Sequence, residues 1–198
     1  SETTFRRESA FLKVIVAVSG ASGSIYAVRL LEFLKATDIE VHLICSKGGI
    51  RVVKHELGIT YKDLQTYADV THDIQDIGAT PASGSAGLDH MVVTPCSMKT
   101  LSMIATGAAS NLIGRSADVI LKEKRNLVLV PRETPLSPIH LEHMLSLSRM
   151  GVHILMASPG FYHIPKTLDD LVNHLVGKTL DCMGIPNEMF RRWQGGEG

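Results

Sequence analysis

The sequence predicts an α/β protein: a three-layer α/β/α sandwich around a Rossmann-like parallel sheet. Three observations carry this. Short β-branched runs alternate with longer segments whose apolar residues recur at helical spacing. The intervening helices are long enough to cross over between parallel strands, which favours right-handed βαβ units. Each run also ends in a turn rich in hydroxyls, Gly or Pro. The expected strand order is 3-2-1-4-5, or that order with one extra strand.

Leu12 to Val18 reads as a buried strand, broken by Ser19-Gly-Ala-Ser-Gly23. Ile25 to Ala36 follows as a helix and Glu40 to Cys45 as a second strand. Ser46 caps a helix reaching toward Leu57, and Thr60-Tyr-Lys-Asp63 has the form of a capping box. Residues 69–88 are polar and Gly-containing and read as a long surface loop, often a functional feature in a compact domain. His90 to Thr94 is the third strand of this count, with helix from Ser97 onward; Asn126 to Val130 is the fourth. Ser137 to Met150 is a helix, His153 to Ala157 the fifth strand, and Thr167 opens a last helix ending near Gly184. Residues 1–10 read as a polar arm before one domain, 11–198. Arg6-Arg7 is followed by too short an apolar stretch, carrying Lys13, for an export signal.

Composition narrows the function. The 198 residues contain 20 Lys+Arg and 20 Asp+Glu, a formal net charge of zero that argues against a nucleic-acid or membrane-surface binder. Hydrophobic residues make up 44% and charged residues 20%, which excludes a disordered chain. The mean hydropathy of +0.13 suggests buried subunit interface. No apolar run approaches the roughly 20 residues that span a bilayer. Cys45, Cys96 and Cys182 are dispersed and form no CxxC, so a reducing cytoplasm is expected and a disulfide framework is not. The nine His lack metal-ligand spacing, and no metal is expected.

The turns after the strands all fall at one edge, where open parallel sheets bind ligands. Gly20-Ala-Ser-Gly23 opens a helix and suits either a phosphate or a simple tight turn. An acid closing the second strand, as a dinucleotide ribose requires, is replaced by Ser46 and Lys47. A nicotinamide oxidoreductase is thereby disfavoured against a mononucleotide binder. Ser97 and Thr100 are either anion ligands or an ordinary helix cap, and Cys96 beside them reads as a small buried residue. Arg132-Glu133, between prolines, is a phosphate or flavin-carbonyl fork oriented by its acid, or a structural ion pair. Arg115 and Lys122, two helical turns apart, form a basic stripe or a solvated face. Tyr162 adds a phenol at the same edge.

Together Ser-Gly-Ala-Ser-Gly (19–23), Pro-Cys-Ser-Met-Lys-Thr (95–100), Arg-Ser-Ala-Asp-Val (115–119), Leu-Lys-Glu-Lys-Arg (121–125), Leu-Val-Leu-Val-Pro-Arg-Glu-Thr-Pro-Leu (127–136) and Pro-Gly-Phe-Tyr-His (159–163) resemble the UbiX-type flavin prenyltransferases, formerly labelled aromatic acid decarboxylases, over about residues 11–193. The resemblance implies a metal-independent enzyme that binds FMN. It would join a dimethylallyl group from dimethylallyl monophosphate to flavin N5 and C6. The product, prenylated FMN, would serve a UbiD-type decarboxylase in ubiquinone synthesis or aromatic acid decarboxylation. It also implies a homododecamer with sites built between subunits.

Carried over by position, FMN contacts fall on Gly20, Ala21, Ser22, Ser46, Ser97, Met98, Lys99, Thr100 and Arg132. Tyr162 and Lys178 would hold the dimethylallyl phosphate, with Arg115, Lys122, Arg132 and Glu133 around it. Glu56 would transfer a proton near the phosphate and Trp193 would cover the prenyl group. Two departures stand out: Lys178 where Arg is more common, and Gly48-Gly49 where small Ala residues are common, the latter expected to be harmless. Flavin-dependent cysteine-type decarboxylases resemble the chain at Pro95–Thr100 but carry Asn where Lys99 stands. A non-enzymatic FMN carrier would not need Arg115, Lys122, Tyr162 and Lys178 together.

Overall fold

The computed structural model describes residues 12–192. Six parallel strands form one sheet: β1 (Lys13–Val18), β2 (Glu40–Cys45), β3 (Val70–His72), β4 (His90–Cys96), β5 (Asn126–Pro131) and β6 (His153–Ile154). The order is β3-β2-β1-β4-β5-β6. The Rossmann-like arrangement with one extra strand is therefore the one found. The extra strand is Val70–His72, inside the segment read as loop. It takes the place beside β2, so the strand at His90 is fourth and pairs with β1 instead. Asp69 explains why so short a strand holds: its carboxylate accepts from the Val41 N–H (2.7 Å) while its own N–H donates to Val41 O (3.0 Å).

The β-branched strands are buried on both faces, as a covered parallel sheet requires. Val14, Val16 and Val18 face one core with Leu30, Leu31, Leu34, Leu175 and Leu180. Ile15 and Ala17 face the other with Leu101, Ile113, Ala117, Ile120 and Leu147. The first layer is built by α1 (Ser24–Lys35), α2 (Lys47–Leu57), α3 (Tyr61–Gln65) and α7 (Leu168–Cys182). The second is built by α4 (Met98–Thr106), α5 (Leu112–Lys122) and α6 (Pro138–Arg149).

Two boundaries differ from the sequence expectation. The helix from Ser97 is two helices: Gly107 closes α4 at φ 68°, a left-handed conformation suited to glycine, and Asn111 caps α5 through the Gly114 N–H. The fifth expected strand is regular only at His153–Ile154, although Leu155 and Ala157 continue to donate to Leu129 and Pro131 of β5. The capping box at Thr60 forms with Asp63, and Ser46, Ser97, Ser137 and Thr167 cap α2, α4, α6 and α7. No helix of the described residues is long and apolar enough to cross a membrane.

Candidate flavin cleft at the carboxyl edge of the sheet

The ends of β1, β2 and β4 are tied to one another by short side chains. Ser19 is buried; its hydroxyl donates to Pro95 O (2.8 Å) and accepts from the Ser97 N–H (2.8 Å). The Ser46 N–H donates to Val18 O (2.9 Å), and Ser46 Oγ accepts from the Gly49 N–H (3.0 Å). Gly20 and Gly48 meet here: a Cβ on Gly20 would lie 3.2 Å from Gly48 Cα. A Cβ on Gly49 would lie 2.5 Å from Val18 O, so Gly49 is not an indifferent replacement for alanine; it lets α2 press on the end of β1. For Gly48 the nearest atoms are at 3.2 Å, a milder constraint.

Between these turns lies a cleft of about 410 Å³, in the size range of small-molecule sites. Of the residues named from sequence, Gly20, Ser46, Ser97, Lys99 and Thr100 line it. Ser97 also serves as a helix cap, its Oγ accepting from the Thr100 N–H (3.3 Å), so the two readings of that residue coexist. Ala21 and Met98 instead pack inward. Sequence reasoning missed Ile74, Gln75, Met103 and Asn111, which complete the walls with Lys47 and Gly48. The first two sit in the long segment after β2, whose length was the available signal. The others flank the unrecognised break between α4 and α5.

Ser22 does not face the cleft wall but Glu56. α1 is the one α-helix here without a side-chain cap of its own; Gly23, at φ 97°, precedes it. Glu56, at the end of α2, takes over that task. It accepts from the Gly23 N–H (3.1 Å), the Ser24 N–H (2.9 Å), Ser24 Oγ (2.6 Å) and Ser22 Oγ. Burial alone pushes its pKa up, but the hydrogen bonds from Ser22, Ser24 and the backbone outweigh this and hold it below the usual carboxylate value. Glu56 is thus an anion anchored at a helix N-terminus.

Arg132 closes β5, and its N–H donates to Cys96 O (3.4 Å). Its Nε is buried without a hydrogen-bond partner among the described residues. The ion pair with Glu133, the alternative reading of this dipeptide, is absent among the described residues: Glu133 accepts from the Thr134 N–H (3.0 Å) instead. A buried N–H without a partner is costly, and on a half-buried arginine it suits an anionic or carbonyl ligand. Cys96 is inert by comparison, since complete burial pushes its thiol up to about 12.

The remaining cations lie elsewhere. Arg115 and Lys122 do share α5, but Arg115 pairs with Asp118 (3.0 Å) and Lys122 approaches Glu123 (3.9 Å). Seven residues of helix separate them by about 10 Å. Because α5 runs back against the strands, Lys122 ends near the start of β5, at the opposite edge of the sheet. Tyr162 and Lys178 belong to the loop after β6 and to α7, and Tyr162 Oη lies 2.9 Å from His174 Nε2. One chain therefore builds the flavin cleft but does not gather Arg115, Lys122, Arg132 and Lys178 at one point. Trp193 lies outside the described residues. Among the described residues no cluster of three or more His, Cys, Asp or Glu could hold a metal.

Glycine-lined turns, capping hydroxyls and an open cation suit a flavin mononucleotide, and comparison with known proteins agrees. Residues 2–180 match the flavoprotein family. The flavin prenyltransferase UbiX of Alkalihalophilus pseudofirmus is 50% identical over 188 residues, covering 90% of this chain and 94% of that protein.

The chain belongs to the UbiX family of flavin prenyltransferases.

A probable UbiX-like flavin prenyltransferase of Bacillus subtilis is 46% identical over 190 residues, 96% of this chain and 93% of the relative. Among solved UbiX structures, AnUbiX in complex with FMN and dimethylallyl pyrophosphate superposes with a TM-score of 0.93 at 41% identity, covering 95% of this chain and 100% of that one. The dodecameric FMN-dependent Ubix-like decarboxylase from Escherichia coli O157:H7 gives 0.91 at 48% identity, covering 93% and 100%. The peptidyl-cysteine decarboxylase EpiD, at 18% identity and a TM-score of 0.64, shares the fold alone; it covers 88% of this chain and 99% of that one.

Proposed function

We propose that this protein is a metal-independent flavin prenyltransferase that joins a dimethylallyl group from dimethylallyl monophosphate to N5 and C6 of reduced FMN. The observation that carries the reading is the buried, unpartnered Nε of Arg132, a residue whose backbone N–H is bonded to Cys96, next in sequence to Ser97 of a cleft of flavin-binding size. Gly20, Ser46, Ser97, Lys99, Thr100 and Arg132 hold the flavin, and Ala21, Ser22 and Met98, whose side chains are engaged elsewhere, contribute through the backbone of their turns. Small backbone turns and helix N-termini favour its phosphate. The bound reduced flavin supplies the electron-rich nitrogen and carbon that accept the prenyl group.

The protein's own part is to let the allylic C–O bond break. Tyr162, Lys178, Arg115 and Lys122 stabilise charge on the departing phosphate, and Arg132 and Glu133 set its position. Lys178 provides charge without the fork of an arginine. Glu56, an anion at neutral pH, is in this reading a proton acceptor and not a donor. Trp193 shields the cation-like prenyl fragment from water. Since α5 carries Lys122 to the far edge of its own sheet, Arg115 and Lys122 act in the cleft of another copy. A homododecamer, the state of the Escherichia coli relative, satisfies this. The prenylated flavin passes to a UbiD-type decarboxylase, and the chain works in the cytoplasm.

Reduced FMN and dimethylallyl monophosphate, incubated anaerobically with metal-free protein, should give a flavin heavier by one five-carbon unit. An unchanged flavin mass would overturn the assignment. Dimethylallyl diphosphate in a parallel reaction tests the preference for monophosphate. Cysteine decarboxylation is not favoured, because Lys99 stands in the cleft where that chemistry's relatives carry Asn.

A further inference from the structure

His174 has no role in the reading above, yet its surroundings define its hydrogen-bonding state. It lies on α7, four residues before Lys178, and is only 6% exposed. Its Nδ1 accepts from the Gly160 N–H at 3.1 Å, and its Nε2 lies 2.9 Å from Tyr162 Oη. A backbone N–H can only donate, so Nδ1 must keep its lone pair. The single proton of the neutral ring then sits on Nε2 and is donated to the tyrosine oxygen. The Tyr162 proton is left over. Tyr162 Oη has no other hydrogen-bond partner among the described residues, and the side chain is about half exposed.

We propose that His174 is a positioning residue that fixes Tyr162 as a hydrogen-bond donor toward the phosphate of the allylic substrate. The inference rests on the prenyltransferase reading for the identity of that phosphate. Tyrosine could otherwise spend its proton on the imidazole; the Gly160 N–H closes that option by occupying Nδ1. The same bond holds the loop that carries Tyr162.

The arrangement depends on a neutral ring. Burial, the stacked His163 ring (4.7 Å between centroids) and Lys178 together keep the His174 pKa below the ordinary histidine value. The other groups that face it are Tyr162, on the loop that carries Gly160, and Phe190, which packs edge-on at 4.8 Å; the stacked His163 lies against the Asp170 backbone carbonyl. Arg192 lies over Phe190 and pairs with Asp181. Protonation would place an N–H against the Gly160 N–H and release the loop. Because the pKa is lowered, the neutral ring persists at neutral pH. Phosphate contact is lost only as the solution becomes acidic.

The test uses FMN-loaded protein and two probes, inorganic phosphate and dimethylallyl monophosphate. Affinities are measured across pH for the wild type, His174→Phe, Tyr162→Phe and the double variant. Phenylalanine keeps a ring between His163 and Phe190 but removes both hydrogen bonds. His174→Phe should weaken both probes by about five- to tenfold, the worth of one hydrogen bond, while FMN binding reports an intact fold. The double variant should be no weaker than Tyr162→Phe alone, and the acid-side loss seen in the wild type should vanish in His174→Phe.

Wild-type affinity in His174→Phe, or losses that multiply in the double variant, would overturn the proposal. So would failure of the wild type to bind either probe. If His174→Phe does not retain FMN, His174→Asn serves instead: its amide can hold the Gly160 N–H but not reach Tyr162, so it should fold and still lose affinity. A wild type that binds phosphate but adds no five-carbon unit to flavin removes the prenyltransferase reading and leaves the His174–Tyr162 relation standing.

Discussion

The candidate flavin cleft and the cations assigned to the phosphate are built in different ways. The cleft wall that one chain supplies is tied together locally: three strand ends, bound by Ser19, Ser46 and Ser97, and two glycines in contact. The cations are not gathered. Arg132 follows β5 with an open Nε, Arg115 is paired near the N-terminus of α5, and Lys122 sits at the other edge of the sheet. A site for the bound flavin can be preorganised by backbone, whereas several like charges around an empty phosphate site repel one another. In the proposed assembly, dispersing them over separate elements, to be joined between copies, avoids that repulsion until the oligomer forms.

The sharpest test of this contrast is Arg132→Ala. It should lower kcat/KM for prenyl transfer by roughly 10²–10³-fold, the size expected for losing one donor to a developing anion, as measured in anaerobic turnover. A loss below tenfold would mean that the open Nε is not aimed at the reaction. Next comes complementation. Lys122→Ala and Arg132→Ala, each slow by itself, should recover activity when co-expressed in one assembly, because some clefts then receive both cations. No recovery in mixed oligomers would place both residues in a single chain's site and erase the distinction.

Within the cleft, Ser19→Ala leaves the Ser97 N–H without its partner and Pro95 O with only the Ser19 backbone N–H, a cost of about 1–3 kcal/mol. Gly49→Ala forces α2 away from Val18 O at a similar cost of about 1–3 kcal/mol. Both should lower the Tm and weaken FMN binding together, and Gly48→Ala should do less. Intact FMN affinity in either destabilised variant would show that the strand ends do not shape the cleft. The smallest effect is expected at Glu56. Its pKa is depressed, so its contribution is present at neutral pH and fades as pH falls through the folded-state value, below the usual 4.5. Glu56→Gln should cost about 1 kcal/mol, like a lost helix cap, and should flatten the acid limb of a denaturation series. A variant with an unchanged acid limb would remove Glu56 from that role.

Much of this was legible in the chain. The β-branched runs fixed five of the six strands because burial on both faces leaves little choice of residue. Ser46, Ser97, Thr60 and Thr167 marked helix starts because capping is a local interaction. Val70–His72 escaped notice because its hold on β2 comes from Asp69, a long-range contact with no periodicity. Gln75 and Asn111 were missed for the same reason: nothing near them in sequence says that they face Gly20. The pair Arg132-Glu133 looked like one unit, yet adjacent residues at the end of a strand point apart, and the backbone N–H of Thr134 claims the acid.

By itself, then, the sequence determined the layers of the sandwich, the edge at which ligands bind and the residues whose small size or hydroxyl groups shape the cleft. These depend on patterns and caps that act within a few residues. The tertiary structure decided which hydrogen-bonding groups are already spent. Glu56 belongs to the N-terminus of α1, Ser19 to the joint between β1 and β4, and Nδ1 of His174 to Gly160. Hydrogen bonds saturate, so the chemistry left to a residue is known only once its partners across the fold are known.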